Sequence, residues 1–343
     1  MKKIGIIGHF GYNGAHFDGQ TIKTLTLAKG LKEKYGNNEI KCFDTHGLFN
    51  KVRLLLFYAP VLLKQCENII MLPAQKGVLY ISKIILFWNR FYKRKIHYCV
   101  IGGWLPTKIK ENKRLATRLK QIDFIYVETQ KMKSQLIVNG FTNVVIMPNC
   151  KFLPQVDYKE LKENIVPPFK LCIFSRITEK KGIKDAVDVV NEINMKKNKT
   201  VFTLDIYGPV DAKDLDWFDS IEKAFGDSIS YKGTIPYENS VSVLKHYFLL
   251  LFPTKFFTEG IPGTIIDAFF AGVPALVSRW ESCEDIIKDK ENGLIFNFGD
   301  NRDMEKVLMQ VLKDPTIVFS MRKKCIESSH NYTVENAIDR LVL

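Results

Sequence analysis

Two stretches of the 343-residue chain combine residue types able to hold an anion and a polyol together. The first, Phe174-Ser-Arg176-Ile-Thr-Glu-Lys-Lys181-Gly182, leaves an apolar run, carries Arg176 and Lys181 five residues apart, and ends on a glycine that opens a helix. Cations beside a helix start suit a diphosphate, because a guanidinium forks onto two oxygens while an ammonium adds a point charge. Alone, this stretch reads equally well as a solvated basic loop. The second, Thr258-Glu259-Gly-Ile-Pro-Gly-Thr-Ile-Ile-Asp267-Ala-Phe-Phe-Ala-Gly-Val-Pro274, adds what the first lacks. Gly260 and Gly263 let backbone approach a ligand, and the leading amides of a helix starting near Thr264 can hold an anion. Glu259 before that start and Asp267 about one turn in are expected to face the same pocket. Two carboxylates beside an anion site are costly unless the ligand also brings hydroxyls that donate to them. A sugar nucleotide brings phosphates, ribose hydroxyls and sugar hydroxyls.

Short runs rich in Ile, Val, Phe and Leu alternate with segments of helical period, the pattern of parallel sheets covered by helices. Strands are expected at Ile4–Gly8, Ile40–Phe43, Asn68–Leu72, His97–Ile101, Phe124–Glu128 and Val144–Met147, with a glycine-rich loop at Gly11–Gly19 and a helix at Gln20–Tyr35. After Val166-Pro-Pro168, which disfavours helix, come strands at Leu171–Phe174, Phe202–Tyr207, Ile229–Lys232, Phe248–Phe252 and Ala275–Val277. The helices between them are expected at Gly182–Lys197, Leu215–Phe225, Tyr237–Tyr247, Thr264–Ala271 and Arg302–Leu312. The fold class is therefore α/β: two Rossmann-like doubly wound domains facing a central cleft, the place where open α/β sheets bind ligands. The first is expected over residues 1–166, the second, nucleotide-sugar-binding one over 167–325, with a C-terminal helix in 326–343 returning to the first.

Fifty basic and 37 acidic side chains give a net charge of +13, unevenly spread. Residues 1–150 hold 24 Lys and Arg against 8 Asp and Glu, whereas residues 151–343 hold 26 against 29, so the excess lies in the first half. A one-sided field draws anions to one side. Lys83-Ile-Ile-Leu-Phe-Trp-Asn-Arg-Phe-Tyr-Lys-Arg-Lys95 mixes aromatics and cations over one helix length, either as a surface helix on anionic lipid or as an amphipathic helix with a solvated basic edge. Nucleic acid is not expected as a partner, since no recognised nucleic-acid motif accompanies the patch. Seven dispersed cysteines without C-x-x-C spacing, and six scattered histidines, argue for reduced core thiols and against a metal site. The opening MKKIGIIGHFG reads as a first buried strand, and no window reaches 18 uncharged apolar residues, so no membrane span is expected.

On these residues the second half resembles a retaining glycosyltransferase of family 4, of the two-domain GT-B architecture. Arg176 and Lys181 match the family's Arg and Lys on the first loop of the donor domain, and Tyr207-Gly208-Pro209 matches its Gly-Pro turn. Tyr231-Lys-Gly233 is similar to a strand end of the family, and Asn149 to its crossover. The family's E-x7-E element falls on Glu259 and Asp267, where Asp replaces the second Glu and is shorter by one methylene. Ala271-Gly-Val-Pro274, Glu281–Ile287 and Glu291-Asn-Gly293 follow its layout, so the resemblance covers residues 144–300. The first half is looser: Gly11, Gly14, Gly19 and Gln20 occupy the glycine-rich loop that faces the donor phosphate. Gly102-Gly103-Trp104-Leu-Pro106 stands where many relatives place a histidine near the sugar, and resembles bacterial surface-polysaccharide enzymes.

The resemblance implies transfer of a hexose from a UDP-sugar, with retention of configuration and without metal or other cofactor. Arg176, Lys181 and the amides around Gly260, Ile261, Pro262, Gly263 and Thr264 would neutralise the departing diphosphate; Gly208 would lie beside the donor. Glu259 would hold a hydroxyl of the transferred sugar and Asp267 the ribose, with Gly102, Gly103 and Trp104 on the acceptor side. A lipid-linked saccharide acceptor, an anionic membrane surface met by the basic half, and a cytoplasmic location at the inner face of the plasma membrane complete a role in polysaccharide or capsule assembly. A nucleotide-sugar 2-epimerase of the same architecture, or a non-catalytic carbohydrate or nucleic-acid binder, are the alternatives.

Overall fold

The computed structural model describes residues 3–11, 19–46, 48–161 and 165–343, with 48–54 described by their backbone alone. Gly14 therefore lies outside the described residues. The chain divides into two units, one made of Met1–Phe152 with Tyr332–Leu343 and the other of Leu153–Asn331. These divisions differ from the expected 166/167 and 325/326. The segment before Pro167 is already tied to the second unit, where Val156 N–H donates to Phe270 O at 3.0 Å and Gln155 Nε2 to Ser329 Oγ at 2.8 Å.

Along the first unit run β1 (Ile4–Gly8), α1 (Gly19–Tyr35), β2 (Ile40–Asp44), α2 (Leu48–Gln65), β3 (Asn68–Met71), α3 (Gly77–Tyr92), β4 (Lys95–Cys99), α4 (Leu105–Glu111), α5 (Lys113–Leu119), β5 (Phe124–Val127), α6 (Gln130–Val138) and β6 (Val144–Ile146). The second unit holds β7 (Phe169–Phe174), α7 (Ile183–Lys196), β8 (Phe202–Tyr207), α8 (Leu215–Glu222), β9 (Ile229–Gly233), α9 (Ser240–Leu244), β10 (Leu249–Phe252), α10 (Gly263–Phe270), β11 (Ala275–Ser278), β12 (Gly293–Phe296), α11 (Asn301–Lys313) and α12 (Thr316–Ser329). The last helix, α13 (Val334–Asp339), belongs with the first unit. There a Cβ on Gly30 of α1 would lie 2.3 Å from Val334 Cγ1, so only glycine lets the two helices approach so closely.

Both sheets have six parallel strands, ordered β2-β1-β3-β4-β5-β6 and β12-β11-β10-β7-β8-β9. In the first unit α2 to α6 pack one face around Leu62, Ile81, Leu105, Leu119 and Leu136, while α1 and α13 cover the other with Leu27, Leu31 and Ile338. Apolar residues at helical spacing on α7, including Ile183, Ala186, Val187, Val190 and Ile193, seal one face of the second sheet. The order reverses between β1 and β3 in one sheet and between β7 and β10 in the other. Loops leaving adjacent strands diverge at such a point and open a crevice at the carboxyl ends. The sequence singled out residues leaving three of those four strands, β1, β7 and β10; the loop after β3 is new.

The basic aromatic segment 83–95 is not one helix. α3 ends at Tyr92, because Lys93 adopts a left-handed φ of 52° and Asn89 clasps the turn, donating to Arg94 O at 2.8 Å and accepting from Arg94 N at 2.7 Å. Lys95 already opens β4. His97, expected at the start of that strand, lies in its middle and is wholly buried.

Candidate active site

In the second unit, Arg176 and Lys181 leave the end of β7, and Glu259 leaves the end of β10, so two strands flanking the reversal supply the charged groups. The fold of the β7 loop is dictated by two glycines. Gly182 has φ 69°, and a Cβ there would sit 1.9 Å from Pro253 O; Gly208 has φ 140°, and a Cβ would sit 1.7 Å from Ser175 O. Both permit backbone-to-backbone approach that no side chain allows. They press the β7 loop against the loops of its two neighbouring strands.

Lys181 and Glu259 are paired directly, ammonium to Oε1, with side chains 20% and 17% exposed. Glu259 also accepts from Thr254 Oγ1 at 3.1 Å. The rings of Phe252 and Phe256 stand 5.1 and 5.2 Å from the Lys181 ammonium, adding cation–π attraction. Thr254 is itself fixed, its carbonyl accepting from Ser278 Oγ at 2.6 Å, while Ser282 Oγ donates to Glu259 O at 2.9 Å. Both charges are thus oriented by packing before any ligand arrives. An ammonium carries three donors, so the contact with Glu259 leaves donors for a further anion.

The segment Gly260–Thr264 leads into α10, whose first intrahelical bonds run from Ile265 N and Ile266 N to Pro262 O at 3.1 and 3.4 Å. The Gly263 and Thr264 amides precede those bonds, at the positive end of the helix. The Thr264 hydroxyl is buried without a hydrogen-bond partner. Gly260 and Ile261 are buried beside them, and Pro262 and Gly263 half-buried.

Not every expected group joins this cluster. Arg176 is exposed and stands 3.5 Å from Asp211 Oδ2, apart from the Lys181–Glu259 pair. Asp267 lies one turn into α10 and is 4% exposed, a buried carboxylate in contrast to the more accessible Glu259. Thr254, Phe252, Phe256 and Asp211 were not anticipated. Thr254 could have been found from its place two residues beyond β10, at the carboxyl end of a reversal strand.

In the first unit Gly11 has φ 68°, Gly19 opens α1, and the Gln20 amide donates to Leu72 O at 3.2 Å, bridging the β1–β3 reversal. Gly102 has φ 75°, Gly103 is buried, and Trp104 is held by Nε1–H to Ile101 O at 2.7 Å. Beneath that loop is a buried ion pair, Lys23 Nζ to Glu128 Oε1 at 2.5 Å, both side chains 3% exposed. Lys23 also donates to Val100 O at 2.9 Å, and Gly102 N–H points to Glu128 Oε1 at 3.4 Å. Two histidines 37 positions apart meet at the ends of β1 and β2: His46 Nδ1 lies 2.7 Å from His9 Nε2, and His9 Nδ1 2.6 Å from Thr21 Oγ1. Spacing along the chain gave no sign of either cluster.

Burial lowers the His97 pKa to about 4, its ring lying between Tyr126 OH at 3.1 Å and Asn68 Oδ1 at 3.0 Å. It is a neutral core group and takes no part in either cluster. Among the described residues there is no group of three His, Cys, Asp or Glu able to hold a metal ion, and no helix long and apolar enough to cross a membrane.

Residues 157–332, just over half of the chain, match the family described as Glycosyl transferases group 1. The whole chain is similar in fold to Anabaena Alr3699/HepE, solved with UDP and glucose, at a TM-score of 0.72 and 12% identity, covering 99% of this chain and 98% of that one. Sucrose-phosphate synthase from Thermosynechococcus elongatus gives a TM-score of 0.74 at 14% identity over 99% and 97% of the two chains. The lipopolysaccharide outer core galactosyltransferase WaaB, in its apo form, gives 0.69 at 16% identity over 98% and 97%. No curated protein sequence matches the chain.

Proposed function

The chain belongs to the group 1 glycosyl transferases, and from that premise we propose that it moves a hexose from a UDP-sugar to a saccharide acceptor with retention of configuration, as family 4 enzymes do. The observation that carries this reading is the Lys181–Glu259 pair at the β7–β10 reversal, beside the leading amides of α10. That Alr3699/HepE of the same fold was solved with UDP supports the choice of nucleotide.

The bond between the anomeric carbon and the β-phosphate oxygen breaks, and its electron pair leaves with the diphosphate. Lys181 and the Gly263 and Thr264 amides neutralise that growing charge, which is electrostatic stabilisation of a leaving group and needs no metal. Glu259 accepts a hydrogen bond from a hydroxyl of the departing sugar. The acceptor hydroxyl forms the new glycosidic bond from the face the diphosphate leaves, and its proton passes to the departing β-phosphate oxygen.

The acceptor is a lipid-linked saccharide of a surface polysaccharide, met at the inner face of the plasma membrane through the basic residues of 1–150. Incubation with a panel of UDP-sugars tests the reading. Slow release of UDP with free sugar, accelerated by a lipid-linked acceptor, supports it; an isomerised sugar, or no turnover of any nucleotide sugar, overturns it.

A further inference from the structure

A groove of about 620 Å³ opens on the first unit between α2, α3 and α5, on elements that carry none of the donor or catalytic residues assigned above. It is lined by the apolar side chains of Leu56, Tyr80, Ile84 and Phe87 and by four cations, Lys83, Arg90, Arg114 and Arg118. No acidic residue lines it, and no carboxylate pairs with any of these four cations among the described residues. The walls are fastened: Trp88 Nε1–H donates to Leu56 O at 3.1 Å, and Arg118 to Leu79 O at 2.8 Å. On the same helices, Phe57 of α2, next in the chain to Leu56, and Phe91 of α3, next to Arg90, are 77% and 71% exposed, and Val61 of α2 is exposed too.

An apolar channel of ligand size whose charged lining residues are all cationic matches one chemistry, an anionic headgroup joined to a hydrocarbon chain. The exposed phenylalanines beside it would enter the interface between headgroups and acyl chains. We propose that this groove binds one anionic phospholipid of the bilayer surface, headgroup on the arginines and the first part of a chain over Ile84 and Phe87. The inference rests on the membrane location given above and replaces a diffuse basic surface with a discrete, saturable site.

The test uses the full chain with vesicles of phosphatidylcholine alone or mixed with phosphatidylglycerol, read by flotation and by native mass spectrometry of lipid retained after detergent extraction. Arg90→Gln/Arg114→Gln, both exposed positions, is expected to lower partitioning onto mixed vesicles by about thirtyfold, at roughly fivefold per cation, and to abolish the retained lipid. Thr117→Trp fills the groove without changing charge and is expected to abolish retention too. Lys223→Gln/Lys306→Gln removes the same charge from exposed sites of the second unit and is expected to do neither. Retained phosphatidylglycerol in all four proteins, or in none, overturns the groove. Vesicle binding that drops equally in both double variants leaves only diffuse attraction, and wild type that ignores mixed vesicles removes the membrane location as well. UDP binding, measured alongside, stays unchanged throughout and separates these outcomes from failure of the transferase reading.

Discussion

Replacing Glu259 by Gln and Lys181 by Met, singly and together, separates what the pair does for the fold from what each member does for the ligand. The two side chains are about four-fifths buried, so their pair falls between an exposed one and a fully buried one. Exposed pairs contribute ~0–1 kcal/mol, and removing one partner of a buried pair costs about 3–5 kcal/mol. Each single change is therefore expected to lower stability by roughly 1–3 kcal/mol, with Lys181→Met/Glu259→Gln costing less than the sum. Ligand effects should not run in parallel. Lys181→Met removes the charge proposed to steady the leaving diphosphate, an expected loss of about 3 kcal/mol, or on the order of 100-fold in turnover. Glu259→Gln frees the ammonium from its carboxylate, so UDP should bind at least as tightly as to wild type while turnover still falls by orders of magnitude. Urea denaturation gives the stabilities, calorimetry the UDP affinities, and a coupled assay of UDP release the rates. The reasoning is refuted if both single variants lose UDP affinity equally, or if either retains turnover within about threefold of wild type, a difference of under 1 kcal/mol.

The remaining expectations concern the supports of the site and the core. Thr254→Val deletes one hydrogen bond to Glu259 and should cost about 1 kcal/mol of stability with a clear loss of turnover; unchanged turnover would show that Glu259 needs no orientation from that hydroxyl. Gly182→Ala places a Cβ against Pro253 O at a positive φ, so several kcal/mol of destabilisation, on the order of 3, and loss of UDP binding are expected; a stable, active variant would contradict the described approach of the two loops. For His97 the folded pKa of about 4 lies below the ordinary 6.5, so the folded state resists protonation. Stability should be full above pH 6.5 and fall between pH 6.5 and 4 by about 1.4 kcal/mol per pH unit from this group, up to roughly 3 kcal/mol. His97→Gln should flatten that part of the curve of urea midpoint against pH; an identical slope would place the acid sensitivity elsewhere.

The strands were legible because a fully buried parallel strand is a short unbroken apolar run, as in Leu171-Cys172-Ile173-Phe174, and the structure extends that one only to Phe169. α2 was harder: its apolar run Leu54–Leu63 contains Pro60, which argues against helix until its neighbours α3 and the sheet are present to bury Leu55, Ala59 and Leu62. β12 is four residues long behind a glycine, below what periodicity can register. At the site, Lys181 and Glu259 were visible as charged residues just past apolar runs. Their direct pairing was not, since it depends on β7 and β10 lying side by side across 78 positions of sequence. The same non-local pairing hides His9 with His46, and Lys23 with Glu128. Arg176 and Asp267 fit a motif by position, yet one points to Asp211 in solvent and the other is buried on α10, because spacing along a chain does not fix where a side chain points.

The central claim is that Lys181 and the start of α10 grip a nucleoside diphosphate. Isothermal titration of UDP into wild type and Lys181→Ala tests it without knowledge of sugar or acceptor. Saturable one-to-one uptake by the wild type is expected, weakened by about 10–100-fold in the variant for loss of one charge-assisted hydrogen bond. No heat of uptake in the wild type, or equal affinity in the two proteins, would contradict it.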